Sequence, residues 1–165
     1  MNATFYISAV VAVLSTVMVI TRASAVHALL YLVVSLLAVA LVFYSLGAPF
    51  AAALEVIIYA GAIMVLFVFA VMMLNLGRTA TAQELQWIRP GAWAGPALLA
   101  AILAAELCYT LASGGASAPP GRVVSAKQVG IAFYGPYLLA VELASMLLLA
   151  GLVAAYHLGR GHEEG

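Results

Sequence analysis

Three glutamates, Glu55, Glu106 and Glu142, lie inside long apolar runs of this 165-residue chain. An ionised carboxylate at the centre of a bilayer costs at least about 2.5–3.5 kcal/mol, so a carboxyl kept there usually has a function or faces protein or water. Held away from water, a carboxyl can take up and release protons, which is the chemistry of a relay. Glu55 is the first candidate. Tyr59 follows it by four residues, and a regular helix puts positions four apart on one stripe. Glu142 is the second candidate and Glu106 the third. The competing reading is a carboxyl near the interface that snorkels or is hydrogen-bonded and inert. His27, in the first turn of an apolar run, can titrate near neutrality; a histidine there is more commonly an interfacial polar residue. Cys108 is the single cysteine, so no intrachain disulfide can form, and no Cys/His cluster has metal-ligand spacing. There is no glycine-rich nucleotide loop and no nucleophile triad. No catalytic, cofactor-binding or metal-binding residue is therefore expected on this chain.

The elements that must position these groups are membrane helices. The chain is 67% hydrophobic and 7% charged, a composition no water-soluble core requires. Its formal net charge is zero, so nothing points to nucleic acid. The pattern predicts an all-α membrane protein, a single domain over 1–165, with spans at about 3–20, 26–46, 50–74, 92–111 and 136–157. Residues 1–20 carry no basic leader and can span, so a cleaved signal peptide is not expected. Ser24 is placed to cap the second span. Gly47 and Pro49 are placed to stop it and start the third.

The third run is about 25 residues, roughly 37 Å as a helix against a hydrocarbon core of ~30 Å. Tilt, a kink or a local change of helix type can absorb the surplus. A defect is cheapest at Tyr59–Ala62, because Gly61 is the weakest helix former there. Residue types alone favour Gly61 as a packing notch for a neighbouring helix over a hinge. Met64, Met72, Met73 and Met146 read as packing residues, and Gly91-x-x-x-Gly95 as a helix-pair motif at the membrane edge.

Residues 78–91 form a polar loop with Trp87 and Trp93 as interface anchors. Residues 113–121 read as a linker. Residues 122–131 form a surface piece, helical or extended. No internal repeat of the kind seen in stand-alone transporters is present. Arg22, Arg78, Arg89 and Arg160 fall on one side of a five-span topology and Arg122 and Lys127 on the other. This places the N-terminus outside and the C-terminus in the cytoplasm. All three glutamates then sit roughly 8–9 Å below the outer boundary.

The segments HALLYL (27–32), GAPFAAALEVIIYAGAIMVLFVFAVMMLNL (47–76) and GPYLLAVELASMLLLAGLVAAYH (135–157) resemble the J-subunit family of bacterial proton-translocating NADH:quinone oxidoreductase, respiratory complex I. This family is the counterpart of mitochondrial NADH dehydrogenase subunit 6. The likeness covers the second, third and fifth spans; the first and fourth match in hydropathy and placement alone. Glu106 is outside the family pattern. The resemblance implies a five-helix subunit of the membrane arm in the bacterial inner membrane. Its implied partners are the small subunit, the quinone-site subunit beside it and the lipid bilayer. FMN, iron–sulfur clusters and quinone are implied in partner subunits, with none on this chain. The resemblance also implies a π-bulge at Tyr59–Val65, one turn after Glu55, that turns between states to couple quinone reduction to proton translocation. That makes Gly61 a hinge and gives the coupling set Glu55, Tyr59, Gly61, Val65 and Glu142. The alternatives are a subunit of an Mrp-type antiporter or membrane-bound hydrogenase, an ion or drug antiporter, and a structural scaffold.

Overall fold

The structure is a computed structural model that describes residues 3–74, 90–113 and 123–159. The loop around Arg78, Trp87 and Arg89, most of the linker with Arg122, and the tail with Arg160 lie outside the described residues. Helix α1 spans Ala3–Thr21, α2 Ala25–Ser45, α3 Pro49–Leu54, α4 Met64–Leu74, α5 Pro90–Ala112, α6 Ala126–Phe133 and α7 Leu138–Gly159. Between α3 and α4 the chain stays helical but winds as a π-helix over Glu55–Ile63. Among the described residues five helices are long and apolar enough to cross a membrane, with α3, the π segment and α4 joined into the third. Residues 1–124 and 125–165 form two compact units. No strand occurs among the described residues.

The α2-to-α3 connection follows from its sequence. Gly47 has φ 85°, a left-handed conformation that other residues enter at a cost. Its N–H donates to the Tyr44 carbonyl and the Ala48 N–H to the Phe43 carbonyl, the paired closure of a Schellman end. Pro49 then opens α3, where its missing N–H has no helical partner to lose. The Val124 N–H donates to the Gly47 carbonyl at 2.8 Å, so the chain returns to this turn after the fourth span. Ser24 does occupy the cap position of α2, but its hydroxyl makes no capping bond and is buried without a partner among the described residues.

In the first unit α2 is central, packing against α1, the third span and α5. Lipid is as apolar as leucine, so helices in a membrane associate through close packing and polar contacts, which small residues permit. The buried face of α1 is accordingly Ser8, Val11 and Ser15, spaced as one helical stripe. It meets an α2 face that includes Val34, Ser35, Ala38 and Leu41. Leu103 of α5 completes the apolar cluster. The Thr16 and Ser35 hydroxyls are hydrogen-bonded at 2.8 Å, and Ser35 also donates to the Ala12 carbonyl at 3.3 Å.

Tyr31 of α2 is buried with its hydroxyl against Gly95 of α5, and the Arg22 guanidinium stands 5.4 Å from its ring centroid. Gly95, the second glycine of the helix-pair motif, is thus a notch for a tyrosine. A Cβ at position 95 would collide with the Tyr31 hydroxyl, and the burial of Tyr31 limits how far its ring can shift. Gly95→Ala should destabilise the subunit by about 1–3 kcal/mol, the usual penalty for overpacking. Adding Tyr31→Phe removes the colliding oxygen and should restore most of the loss. Thermal stability of the purified assembly measures both. Equal stability of the single and double variants would contradict this packing.

Candidate functional site

The site is built on the third span. Backbone inside hydrocarbon must be hydrogen-bonded within the protein, so extra length in a span is absorbed by rewinding rather than by opening the helix. The Met64 N–H reaches the carbonyl of Tyr59, five residues back, and also that of Gly61, three back. The first is the wide-turn bond and the second the tightening that returns the chain to α-geometry. On the other side, the Glu55 N–H bonds the carbonyls of Ala51 and Ala52.

The wide winding covers nine residues, Glu55–Ile63. It overlaps the expected Tyr59–Val65 at Tyr59–Ile63 and begins four residues earlier. Glu55 is the first residue of the segment rather than one turn before it, while Met64 and Val65 are already in α4. The reason is geometric. A bond that spans five residues and reaches Gly61 begins at Val56, so the wide turns extend to the N-terminal side of the glycine. A Cβ built on Gly61 would lie 3.2 Å from the Val56 carbonyl oxygen, closer than such atoms normally sit. Gly61 therefore fits the wide turn in a way that a side chain would oppose.

The rewinding also changes who faces whom. Backbone bonds in this segment reach five residues, so Glu55 and Tyr59, four apart, are not joined across one hydrogen-bonded turn. The Glu55 carboxyl is half-buried, and Tyr59 is 50% exposed. Neither side chain is hydrogen-bonded to the other, and the Glu55 carboxyl has no hydrogen-bond or ion-pair partner among the described residues. Gly61 is half-buried and Val65 exposed. Beyond the π segment, α4 is lightly held by its own chain. Met64 is buried and Val71, seven residues on, is half-buried; Val65 through Ala70, Met72 and Met73 are exposed. Of the methionines expected to pack, only Met64 does so within the first unit.

An apolar groove of about 450 Å³ runs beside this span, walled by Leu37 and Leu41 of α2, Ala52 and Val56 of the third span, and Leu103 and Leu107 of α5. Its walls offer mostly hydrocarbon contact, with Tyr44 of α2 among the lining residues. Among the described residues no three His, Cys, Asp or Glu side chains cluster to hold a metal. Cys108 is a free, exposed thiol.

Glu106, the last-ranked carboxyl, is the one with a defined interhelical partner. The Ser8 hydroxyl donates to its Oε2 at 2.7 Å, tying α1 to α5, and Ser8 itself is fully buried. The Thr110 hydroxyl bonds the Glu106 carbonyl one turn along α5. The sequence reading missed Ser8, Ser15, Thr16 and Ser35. The signal was the spacing of Ser8 and Ser15, seven apart in an otherwise apolar helix. Glu142 lies in the second unit, on α7, exposed, with the Ser145 hydroxyl bonded to its backbone carbonyl. His27 is half-buried in the first turn of α2.

The chain is similar in sequence to known proteins over nearly its whole length. The model of the family described as NADH-ubiquinone/plastoquinone oxidoreductase chain 6 matches residues 15–158. NADH-quinone oxidoreductase subunit J of Pseudomonas aeruginosa is 63% identical over 161 residues, 97% of each chain. The protein of the same name from Escherichia coli K12 is 57% identical over 165 residues, all of this chain and 90% of that one. The one from Buchnera aphidicola subsp. Schizaphis graminum is 46% identical over 160 residues, 97% of this chain and 98% of that one. The chain belongs to the NADH-ubiquinone/plastoquinone oxidoreductase chain 6 family.

Proposed function

We propose that this chain, as a membrane subunit of an NADH-quinone oxidoreductase, helps couple quinone reduction to proton translocation by rewinding its third span. The nine-residue π segment Glu55–Ile63, with a carboxyl at its first residue and Gly61 in a wide turn, carries the reading. Removing one inserted residue from the winding turns everything beyond it by about 100°. Phe67, Met72 and their neighbours would then meet different partners, while α3 and α2 stay put. Such a switch needs two packings within a few kcal/mol of each other. The light hold of this chain on α4, through Met64 and Val71, suits that requirement.

In this reading Glu55 exchanges protons at the start of the rewinding segment, with Tyr59, Gly61, Val65 and Glu142 in the coupling set. The chain does no redox chemistry: FMN, iron–sulfur clusters and quinone belong to partner subunits. Its partners are the small subunit and the quinone-site subunit of the membrane arm. It sits in the bacterial inner membrane with its N-terminus periplasmic and its C-terminus cytoplasmic.

Glu55→Gln keeps size and hydrogen-bonding capacity but cannot ionise. It should leave assembly intact and lower coupled turnover a few-fold, with Glu55→Asp milder. Proton uptake and NADH oxidation by the reconstituted complex measure this, and unchanged pumping in Glu55→Gln would reduce Glu55 to a packing residue.

Gly61→Ala should favour the regular winding, by about 1 kcal/mol of helix propensity and by the close approach to the Val56 carbonyl. That changes the ratio of forms roughly fivefold. Gly61→Val should act in the same direction with more bulk. Turnover per assembled complex should fall in both, more in Gly61→Val. Reduced yield with normal turnover per complex would instead make Gly61 a notch.

A further inference from the structure

The second unit contains a short helix that the coupling reading does not use. Helix α6, Ala126–Phe133, is secured at its start by a full capping box: the Gln128 N–H donates to the Ser125 hydroxyl and the Ser125 N–H to the Gln128 side chain. Its end is tied as firmly. The Tyr134 N–H donates to the Gly130 carbonyl, those of Gly135 and Tyr137 to the Ala132 carbonyl, and that of Leu138 to the Gly135 carbonyl. A Cβ on Gly135 would fall 2.8 Å from the Ile131 carbonyl oxygen, so this turn closes tightly only with glycine. The direction of α6 relative to α7 is therefore fixed by backbone bonding.

The level of α6 follows from α7. That helix has 22 residues, roughly 33 Å, which spans the ~30 Å hydrocarbon core and puts its first residue, Leu138, at a membrane boundary. Four turn residues separate α6 from Leu138. At 100° per residue, Ala126, Val129, Ala132 and Phe133 fall on one arc of α6, with Lys127, Gln128 and the exception Ile131 opposite. Phe133, Tyr134 and Tyr137, three aromatics within five residues, are 49%, 83% and 60% exposed. Tyrosines at the end of a span, beside a helix with an apolar arc and a single lysine opposite it, match the chemistry of the headgroup–acyl boundary.

We infer that α6 and the Phe133–Tyr134–Tyr137 collar form an interfacial anchor lying on the lipid surface, with Val129 and Phe133 in the acyl boundary and Lys127 at headgroup level. Continuity with a membrane-crossing helix through a rigid turn selects lipid as the occupant of this face. The anchor fixes the depth of the fifth span and hence of Glu142, the fifth residue of α7, about 6 Å further along its axis. It does not depend on any coupling role for Glu142.

The test places the photoreactive residue p-benzoylphenylalanine singly at Val129, Phe133, Lys127 and Gln128 in the assembled complex in native membranes. Phe133→p-benzoylphenylalanine is close to the native shape, so at least this variant should assemble. After irradiation, mass spectrometry of the subunit should find phospholipid adducts several-fold more abundant from 129 and 133 than from 127 and 128. Cross-links from 129 or 133 to another subunit would make this face a protein interface and overturn the anchor. Equal adduct levels at all four positions, or none at 133, would overturn it as well.

Discussion

The structure depends on one constraint: within a hydrocarbon phase the backbone must satisfy its own hydrogen bonds. A third span about five residues longer than the core requires cannot shed its surplus as a loop. The π segment meets the constraint by lengthening the bonds' reach from four residues to five, and the Met64 N–H, shared between the Tyr59 and Gly61 carbonyls, closes it back to regular geometry. Other features of the site follow from that rewinding. Glu55 is placed at its first residue, Gly61 faces the Val56 carbonyl, and the azimuth of every residue in α4 is set by how many wide turns precede it. Because wide and regular windings both pair the backbone, the span can change form without exposing polar groups to lipid.

Packing around the span is uneven in a way that suits movement. Helices α1 and α2 are held through Ser8, Ser15, Ser35 and Ala38, small residues that let backbones approach, and by hydroxyl contacts. The Ser8–Glu106 bond ties α5 to the same framework. The start of the third span joins it through Ala52, and Met64 is buried beyond the wide turns. Past Met64, α4 presents apolar side chains outward in nearly every direction. In the proposed reading, a change of winding at the π segment would turn the lightly packed part of the span relative to the part packed on α2.

Much of this was legible in the sequence, for identifiable reasons. Long apolar runs mark spans because length and hydropathy are set by the bilayer, and the predicted bounds differ from the helices by a few residues at most. Gly47 and Pro49 marked the Schellman end and the next helix start, since both act through local backbone geometry. Gly61 marked a weak point for the same reason. Local rules reached less far where the outcome depends on neighbours. The extent of the wide winding depends on bonds five residues apart, which moved its start back to Glu55. Ser24 sits at the cap position yet makes no capping bond, and its buried hydroxyl has no partner among the described residues. Glu106, outside the family pattern and third among the candidate carboxyls, has a partner that local sequence does not reveal, because it lies 98 residues away on α1. Residues 122–131 could not be assigned to helix or extended chain, although Ser125 and Gln128 carry the capping-box spacing that settles α6.

The central claim is that the third span exists in two windings. The most direct measurement is a pair of high-resolution structures of the assembled complex in the same membrane mimic, one with the quinone site empty and one with an inhibitor filling it. In one state the wide turns over Glu55–Ile63 should be present. In the other they should be partly or wholly lost, with Phe67 and Met72 turned by about 100° relative to Pro49–Leu54. Identical winding in both states, with Phe67 and Met72 against the same neighbours, would contradict the account.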